Sequence, residues 1–317
     1  MQRWMCTNAG MLAALSARHE GRLALSDTLV EHYGSCSFRW LFTDLFGAEP
    51  VPTGLSFIDA RMLGTIYHEA LARLMAELRD AGLPLSAGAE AGEAVRPADP
   101  ELERALYAAI HRAAREHGPF AGEMVRCARP AMLRHLSAAV AELRGILDGC
   151  TPVLVEEYLR AGLPSPQDAI LVGKADLVCV PPAGPDAAVI VDYKKKKLPP
   201  RRELVPDDRG RLARLQMHAY AALVESAGLK AGEGWYQPIE ADSGGRRVPR
   251  EAFGTGKRAA VRPEGLAAAR DCLHEACAST AEGLRTGRIF VPRKADQERV
   301  CKDCAVRPVC RERFAVP

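Results

Sequence analysis

Two neighbouring segments near the middle of the chain carry residues that can bind a metal ion and act on phosphate. They read Gly-Lys-Ala-Asp at 173–176 and Val-Ile-Val-Asp-Tyr-Lys at 189–194. Strand side chains alternate between faces, so Asp192 and Lys194 project from one side. A hairpin brings Asp176 beside Asp192, where the two carboxylates repel each other unless a divalent cation lies between them. The pattern therefore predicts a site for Mg²⁺ or Mn²⁺, because hard oxygen ligands suit these ions.

The chemistry expected at such a site is hydrolysis of a phosphodiester. A divalent cation polarises the phosphate and activates water. Lys194 lies two residues beyond a predicted ligand, so it is placed to orient the water or to neutralise charge in the transition state. A plainer interpretation stays open, in which two exposed hairpin acids pair with nearby lysines.

The order Asp176, Asp192 and Lys194 gives the spacing D…D-x-K, which resembles the signature of the PD-(D/E)XK nuclease superfamily. The fuller form, G-K-A-D…V-D-Y-K, is similar to nuclease domains of the RecB- and AddB-like branch. The resemblance implies an α/β fold with a mixed central sheet flanked by helices, like the core of restriction endonucleases. It also implies a metal-dependent deoxyribonuclease in which these three residues are catalytic.

The same resemblance implies further site residues. Gln216 and Tyr220 lie at positions i and i+4 of a predicted helix and match a supporting Q-x-x-x-Y motif. His68 ends a G-x-x-x-H element, whose His approaches the metal in the family. A strand acid upstream of the hairpin is also expected; Glu156 and Glu157 point to opposite faces, and Glu156 is preferred as the catalytic one. The implied metal ligands are His68, Asp176 and Asp192.

Three cysteines crowd at the end of the chain as Cys301-x2-Cys304-x5-Cys310. Such spacing indicates a metal centre, which usually takes a fourth ligand. Cluster-bearing relatives, the AddB-type helicase–nucleases and the CRISPR-associated adaptation exonucleases, add one N-terminal Cys, and Cys36 fits that position. They commonly have Pro next, where this chain has Ser37. The resemblance implies a [4Fe–4S] staple, with a zinc site or unliganded cysteines as the alternatives.

A basic run follows the hairpin and consists of Lys195, Lys196, Lys197, Arg201 and Arg202. A charge run is commonly a solvated face, but beside a phosphodiester site this one predicts contacts with DNA phosphates. Such contacts are sensitive to salt and largely independent of sequence. The segment Gly-Thr-Gly-Lys-Arg at 254–258 resembles a phosphate-binding loop only superficially, because Ser or Thr does not follow the Lys and no strand is predicted before it.

Periodicity and turn residues predict the elements that position these side chains. Strands are predicted at 153–159, 170–180, 188–194 and 235–239, and the second and third form a hairpin across a Pro-rich turn. Helices are predicted within 26–46, where Thr28 and Glu31 form a capping box, and at 61–78, 211–226 and 264–286. Helices near 101–117 and 122–147 form a predicted insertion at 84–148, with an exposed linker at 86–100 and a flexible segment at 241–263. We expect one nuclease domain over residues 1–317.

Composition bounds the class of protein. The 317 residues are 48% hydrophobic and 26% charged, and the net charge of +3 leaves DNA attraction to local basic clusters. No apolar run approaches the roughly 20 residues that span a bilayer, so we expect a cytoplasmic protein without membrane contact. Because we expect a cytoplasmic setting, we do not expect the ten cysteines to form a disulfide framework. Six are expected to be buried apolar fillers: Cys6, Cys127, Cys150, Cys179, Cys272 and Cys277.

Two functions compete on these residues, and a zinc-stapled interaction protein is a third possibility. The first is a Mg²⁺- or Mn²⁺-dependent deoxyribonuclease, expected to act as an exonuclease on single-stranded DNA or DNA ends. Its setting would be DNA repair and recombination or CRISPR- or phage-related DNA processing, and a helicase would be a separate partner. The second is a non-catalytic DNA-binding or scaffold module that keeps the fold and the metal cluster. The intact D…D-x-K set argues against the second.

Overall fold

The computed structural model describes residues 4–5, 21–48, 60–86, 100–292, 294–302, 304, 306–307 and 309–310. Cys6 and most of the predicted linker at 86–100 lie outside these ranges. Within the described part of the chain, every helix is too short or too polar to cross a bilayer.

The described strands are β1 (Trp4–Met5), β2 (Leu23–Ser26), β3 (Thr151–Gly162), β4 (Ala169–Val180), β5 (Ala188–Lys194), β6 (Ala231–Pro238), β7 (Arg250–Phe253) and β8 (Arg288–Ile289). One sheet has the order β2-β4-β5-β6-β7, with β3 also paired to β4. β2 is parallel to β4 and β6 is parallel to β5, whereas the other pairs are antiparallel. β1 and β8 form a separate antiparallel pair. The sheet is therefore mixed, as predicted.

The described helices are α1 (Asp27–Ser35), α2 (Ser37–Trp40), α3 (Ala60–Asp80), α4 (Pro100–His117), α5 (Pro119–Ile146), α6 (Gln216–Ser226), α7 (Leu266–Arg285) and α8 (Lys294–Cys301). A π-helical turn at Leu41–Leu45 follows α2. α3 forms because Met62, Ile66, Ala70 and Leu74 recur at helical spacing, and all four are buried. α4 and α5 occupy the predicted insertion between α3 and β3.

Helices cover both faces of the sheet. On β5, Ala188 and Ile190 pack in a core with residues of α1, α6 and α7. Val189 and Val191 face the opposite way, into a core with residues of α3, α4 and α5. A strand buried on both faces reads as a continuous apolar run, as this one does. The predicted α/β class, a mixed sheet flanked by helices, is confirmed.

One predicted helix cap and one predicted helix start are wrong. Ser26 and not Thr28 caps α1, because the Ser26 hydroxyl accepts a hydrogen bond from Leu29 N. α6 begins at Gln216 and not near residue 211, because the Asp207 carboxylate accepts the backbone N–H groups of the two residues Arg209 and Arg211. Such local turns compete with helix formation.

The segment at 241–263 contains β7, which the sequence did not predict. After β7 the chain turns back around Glu251, whose carboxylate accepts a hydrogen bond from Gly256 N at 3.0 Å. A Cβ at Gly254 or Gly256 would collide with that carboxylate. The glycines at 254–256 therefore fit a loop around an internal anion, and this explains their likeness to a phosphate-binding loop.

Candidate active site

The site lies where the central sheet opens. Backbone pairing of β4 and β5 ends at Leu177 and Val191. Beyond these residues the Asp176 carboxylate replaces a backbone partner and accepts a hydrogen bond from Tyr193 N at 2.8 Å. β2 pairs only with the first part of β4, up to Val172. β2 and β5 therefore pair with different parts of β4 and leave a gap along one of its edges. Asp176 lies in this gap.

Asp176 and Asp192 are buried side by side in this gap, 7% and 1% exposed. Burial and the nearby charge of Asp192 raise the pKa of Asp176 to about 7. Burial also raises the pKa of Asp192, although Lys194 opposes the shift. Lys194 Nζ lies 2.6 Å from Asp192 Oδ2 and forms an ion pair with it. Two such carboxylates are costly without a further cation.

His68, on α3, faces the same carboxylates. Its Nε2 lies 3.1 Å from the carbonyl oxygen of Tyr193, which can only accept, so we assign the ring proton to Nε2. Nδ1 then points at Glu156 Oε1, 3.3 Å away, and Asp176 Oδ1, 3.6 Å away. Burial lowers the pKa of His68, but the hydrogen bond to Glu156 and the charge of Asp176 outweigh it and raise the pKa overall.

Glu156 reaches the site through an unusual backbone conformation. It lies between the pairs Val155–Leu177 and Glu157–Ala175, opposite Asp176, with φ of +50°. The left-handed region is uncommon and costs energy for a residue with a Cβ, and such strain clusters at functional sites. Here it turns the Glu156 carboxylate towards His68 and towards Lys174 Nζ, 2.5 Å away. Glu157 is exposed.

Three of these side chains are spaced to bind one metal ion. Ligand atoms of His68, Glu156 and Asp176 all lie within 4.8 Å of one another. The predicted set had Asp192 in place of Glu156; the structure places the Asp192 carboxylate against Lys194 at the edge of the group. Two carboxylates and one imidazole nitrogen, grouped in this way, fit a divalent cation.

α6 brings Gln216 and Tyr220 to the other side of Lys194. Lys194 Nζ donates to Gln216 Oε1 at 2.8 Å, and Gln216 Nε2 donates to the Tyr220 hydroxyl at 3.1 Å. α6 approaches β4 closely at Gly173, where a Cβ would lie 2.7 Å from Leu223 Cδ1. The absence of a side chain at Gly173 therefore lets α6, which carries Gln216, pack close to β4.

Two charged residues near the site were not predicted. Asp27, the first residue of α1, is buried, and burial together with the charge of Glu31 raises its pKa to about 6. The charges of Asp192 and Lys194 also act on it. Asp27 could have been found from the sequence, because it is an acid directly after a run of apolar strand residues. Lys174 could have been found because it shares a strand face with Asp176.

The predicted DNA-binding run divides into two parts. Lys195 lies beside the site, 3.9 Å from Glu240, which also accepts a hydrogen bond from the Tyr67 hydroxyl. Lys196, Lys197 and Arg202 are exposed. Arg201 is exposed as well, and its guanidinium donates to the carbonyl oxygen of Ala259, in the loop after β7.

The four predicted cluster ligands line a single cavity of about 550 Å³: Cys36, Cys301, Cys304 and Cys310. Cys36 is buried at the start of α2, where its sulfur accepts a hydrogen bond from Arg39 N at 3.3 Å. Burial raises the pKa of the Cys36 thiol to about 11, and Cys304 and Cys310 contribute to the same shift. The structure thus brings thiols from both ends of the chain around one space.

Ser37, in place of the expected Pro, joins the two ends near this cavity. Its hydroxyl accepts a hydrogen bond from Phe290 N at 2.6 Å and donates one to Phe290 O at 3.2 Å. Phe38 N also donates to Phe290 O. α2 is therefore fixed to the segment that leads into the C-terminal cysteines.

The prediction that the other cysteines are buried fillers is partly wrong. Cys150, Cys179 and Cys277 are buried. Cys127 is exposed because it lies on an outer face of α5. Cys272 is half-buried, and its thiol contacts Gly210 O at 2.9 Å.

Comparison with known proteins agrees with this geometry. A family model of the PD-(D/E)XK nuclease superfamily matches residues 24–311. No curated protein matches the sequence. The matched range contains the sheet, the acidic gap, α6 and the four cysteines that line the cavity. The chain belongs to the PD-(D/E)XK nuclease superfamily.

Proposed function

We propose that this protein is a Mg²⁺- or Mn²⁺-dependent deoxyribonuclease. The observation that carries the proposal is the pair of buried carboxylates, Asp176 and Asp192, in a gap that His68, Glu156 and Lys194 also face. Lys194 and the His68 ring offset part of the repulsion between the two carboxylates, and a divalent cation beside them would offset the rest.

The residues divide between holding a cation and handling charge. His68, Glu156 and Asp176 would hold the ion, with Asp192 as a further ligand from β5. When bound, a divalent cation supplies Lewis-acid polarisation of the phosphodiester and a lowered pKa for water. The Tyr193 carbonyl orients the His68 ring so that Nδ1 faces the carboxylates.

Lys194 supplies fixed positive charge at the reacting phosphate in this proposal. Its ammonium is held between Asp192 Oδ2 and Gln216 Oε1, so its position is set before substrate arrives. Groups that need no reorganisation stabilise developing charge most effectively. Gln216 is in turn oriented by Tyr220.

We infer that the substrate is single-stranded DNA or DNA ends and that cleavage is exonucleolytic. Exposed Lys196 and Lys197 continue from the catalytic strand and are available for phosphate contacts. The cellular setting rests on the resemblance to RecB- and AddB-like domains. We propose DNA repair and recombination or CRISPR- or phage-related DNA processing, in the cytoplasm, with a separate helicase as a partner.

We also propose that the cysteine cavity holds a [4Fe–4S] cluster. A single tetrahedral zinc ion would bring its sulfurs to about 3.8 Å from one another. Among the described residues the cysteines form no group of three with ligand atoms within 4.8 Å. Four cysteines around one cavity match the ligand set that an iron–sulfur cluster usually takes. Anaerobic purification tests this: brown protein containing iron and sulfide supports it, and colourless zinc-loaded protein refutes it.

Cleavage of end-labelled single-stranded DNA in Mg²⁺ or Mn²⁺ tests the nuclease. We expect Asp192→Asn to lower the rate by about 10³-fold or more, since several kcal/mol of charge stabilisation are lost. Asp186→Asn is the matched control, because Asp186 is an exposed acid in the turn of the same hairpin. Closed circular single strands should resist an exonuclease.

The competing function is a non-catalytic DNA-binding or scaffold module. It predicts DNA binding without a divalent ion and no cleavage in any divalent ion. Equal degradation by the wild type and Asp192→Asn would also refute the proposed site, because it would indicate a contaminating nuclease.

A further inference from the structure

We propose that Glu31 is a positioning residue that fixes Gln216, and through it Lys194, by capping α6 from the neighbouring helix α1. The inference rests on the proposed nuclease function for its catalytic consequence, but the cap itself is a structural relationship. Glu31 lies on α1, one turn after Asp27, and its side chain is only 9% exposed.

The Glu31 carboxylate contacts three residues at the start of α6: Arg214, Leu215 and Gln216. Oε1 accepts hydrogen bonds from Leu215 N at 2.6 Å and from Gln216 N at 3.3 Å. Oε2 pairs with Arg214 Nη1 at 2.9 Å. The two backbone bonds join residues 184 and 185 positions apart in the chain. Glu31 therefore ties α6 to α1.

α6 needs an external cap because it has none of its own. Its capping position is Leu215, whose side chain cannot accept a hydrogen bond. The first N–H groups of a helix have no partner within the helix, and a carboxylate there also interacts favourably with the helix dipole. Glu31 meets both requirements, and Arg214, which also pairs with Glu203 at 3.3 Å, offsets part of its charge.

The cap binds the backbone of the same residue whose side chain contacts the proposed catalytic lysine. Gln216, the residue whose backbone Glu31 binds, accepts from Lys194 Nζ at 2.8 Å through its side chain. Lys194 in turn lies 2.6 Å from Asp192 Oδ2. A shift of about 1 Å at the start of α6 would move Gln216 away from Lys194, and a misplacement of that size costs about 10²-fold in rate.

Glu31→Leu and Glu31→Gln test the proposal by kinetics. We expect Glu31→Leu to lower kcat about 10- to 100-fold while KM changes less than about twofold, because DNA contacts are untouched. Glu31→Gln keeps a hydrogen-bond acceptor of the same shape and should restore most of the loss. Combining Glu31→Leu with Gln216→Ala should lower kcat little beyond Gln216→Ala alone, because both changes act on one contact.

The matched control is Glu225→Leu. Glu225 lies at the other end of α6 and pairs with Arg270 at 2.6 Å, so it also joins this helix to a neighbour through an acid. A general loss of packing would affect both variants alike. Glu31→Leu with wild-type kcat, or rate losses in Glu31→Leu and Gln216→Ala that simply multiply, would overturn the proposal.

Nuclear magnetic resonance keeps the cap testable if the wild type cleaves nothing. We expect Glu31→Leu to shift the backbone amide signals of Leu215 and Gln216 and the Gln216 side-chain amide, with faster hydrogen exchange at both backbone sites. Glu31→Met, which also lacks an acceptor but is closer to Glu in length, serves the same purpose if Glu31→Leu does not fold. Unchanged signals in the folded variant would refute the cap, whereas an inactive wild type with a confirmed cap would refute only the nuclease.

Discussion

The carboxylate of Asp176 and the backbone of Tyr193 meet where the β4–β5 ladder ends. Asp176 Oδ2 accepts a hydrogen bond from Tyr193 N at 2.8 Å, while Oδ1 lies 3.6 Å from His68 Nδ1. One oxygen therefore replaces a strand hydrogen bond and the other faces the proposed metal site. Asp176 therefore both ends the β4–β5 pairing and faces the proposed metal site.

This arrangement predicts how the stability of the metal-free protein depends on pH. The pKa of Asp176 is raised to about 7, so the folded state binds more protons than the unfolded state between about pH 4 and pH 7. Stability should therefore fall as the pH rises through this window, by on the order of 4 kcal/mol for a pKa raised from 3.8 to about 7. His68, whose pKa is also raised, adds to the same trend.

Urea denaturation of metal-free protein at pH 5.5 and pH 8 measures the effect. Asp176→Asn should reduce the pH dependence, because the amide oxygen still accepts from Tyr193 N without carrying charge, and Asp27, whose pKa is raised to about 6, accounts for part of what remains. Mg²⁺ should stabilise the wild type more at pH 8, since protons compete with the ion. Identical pH dependence in the wild type and the variant would contradict the assignment.

Loss of the Lys194 ammonium should affect the chemical step. We expect Lys194→Met to lower kcat by about 10²- to 10³-fold, the scale seen when one preorganised charge-stabilising donor is removed. Single-turnover cleavage at saturating DNA measures this. Lys230→Met is the matched control, because Lys230 is exposed at the other end of the β5–β6 pair. A similar rate loss in both variants would exclude a specific role for Lys194.

The basic run should show two kinds of behaviour. Lys196→Gln and Lys197→Gln should each weaken single-stranded DNA binding and reduce the slope of log K against log salt by about 0.7. Arg201→Gln should change stability more than this slope, because its guanidinium contacts Ala259 O within the fold. Binding titrations over a range of salt concentrations separate the two. Equal slope changes in all three variants would mean that Arg201 also contacts phosphate.

Ser37 should contribute to stability through its two bonds to Phe290. Ser37→Ala leaves Phe290 N without this partner, and we expect a loss of about 1–2 kcal/mol in denaturation. Ser35→Ala is the control, because the Ser35 hydroxyl bonds only locally, to Glu31 O within α1. If Ser37→Ala is as stable as the wild type, Ser37 does not join the two ends of the chain.

Local patterns account for the part of this site that could be predicted. Asp192 and Lys194 share a face because strands alternate, and Gln216 and Tyr220 share one because helices repeat. The choice between Glu156 and Glu157 could not be derived in this way, since Glu156 departs from extended backbone at φ of +50°.

Long-range relationships were not predictable from one sequence. Glu31 was predicted to cap its own helix. Its carboxylate binds the backbone of Leu215 and Gln216, which lie 184 and 185 positions further along the chain, at the start of α6. β7 was missed because its four residues lie among Gly and Arg, and pairing with β6 decides its conformation. Tertiary contacts override weak local preferences in both cases.

The central claim, that His68, Glu156 and Asp176 hold a divalent cation, is tested most directly by electron paramagnetic resonance of Mn²⁺ added to the purified protein. We expect one bound Mn²⁺ with coupling to an imidazole nitrogen. That coupling should vanish in His68→Phe, and the affinity should fall in Asp176→Asn. Wild-type affinity in Asp176→Asn, or bound Mn²⁺ without nitrogen coupling, would contradict the site.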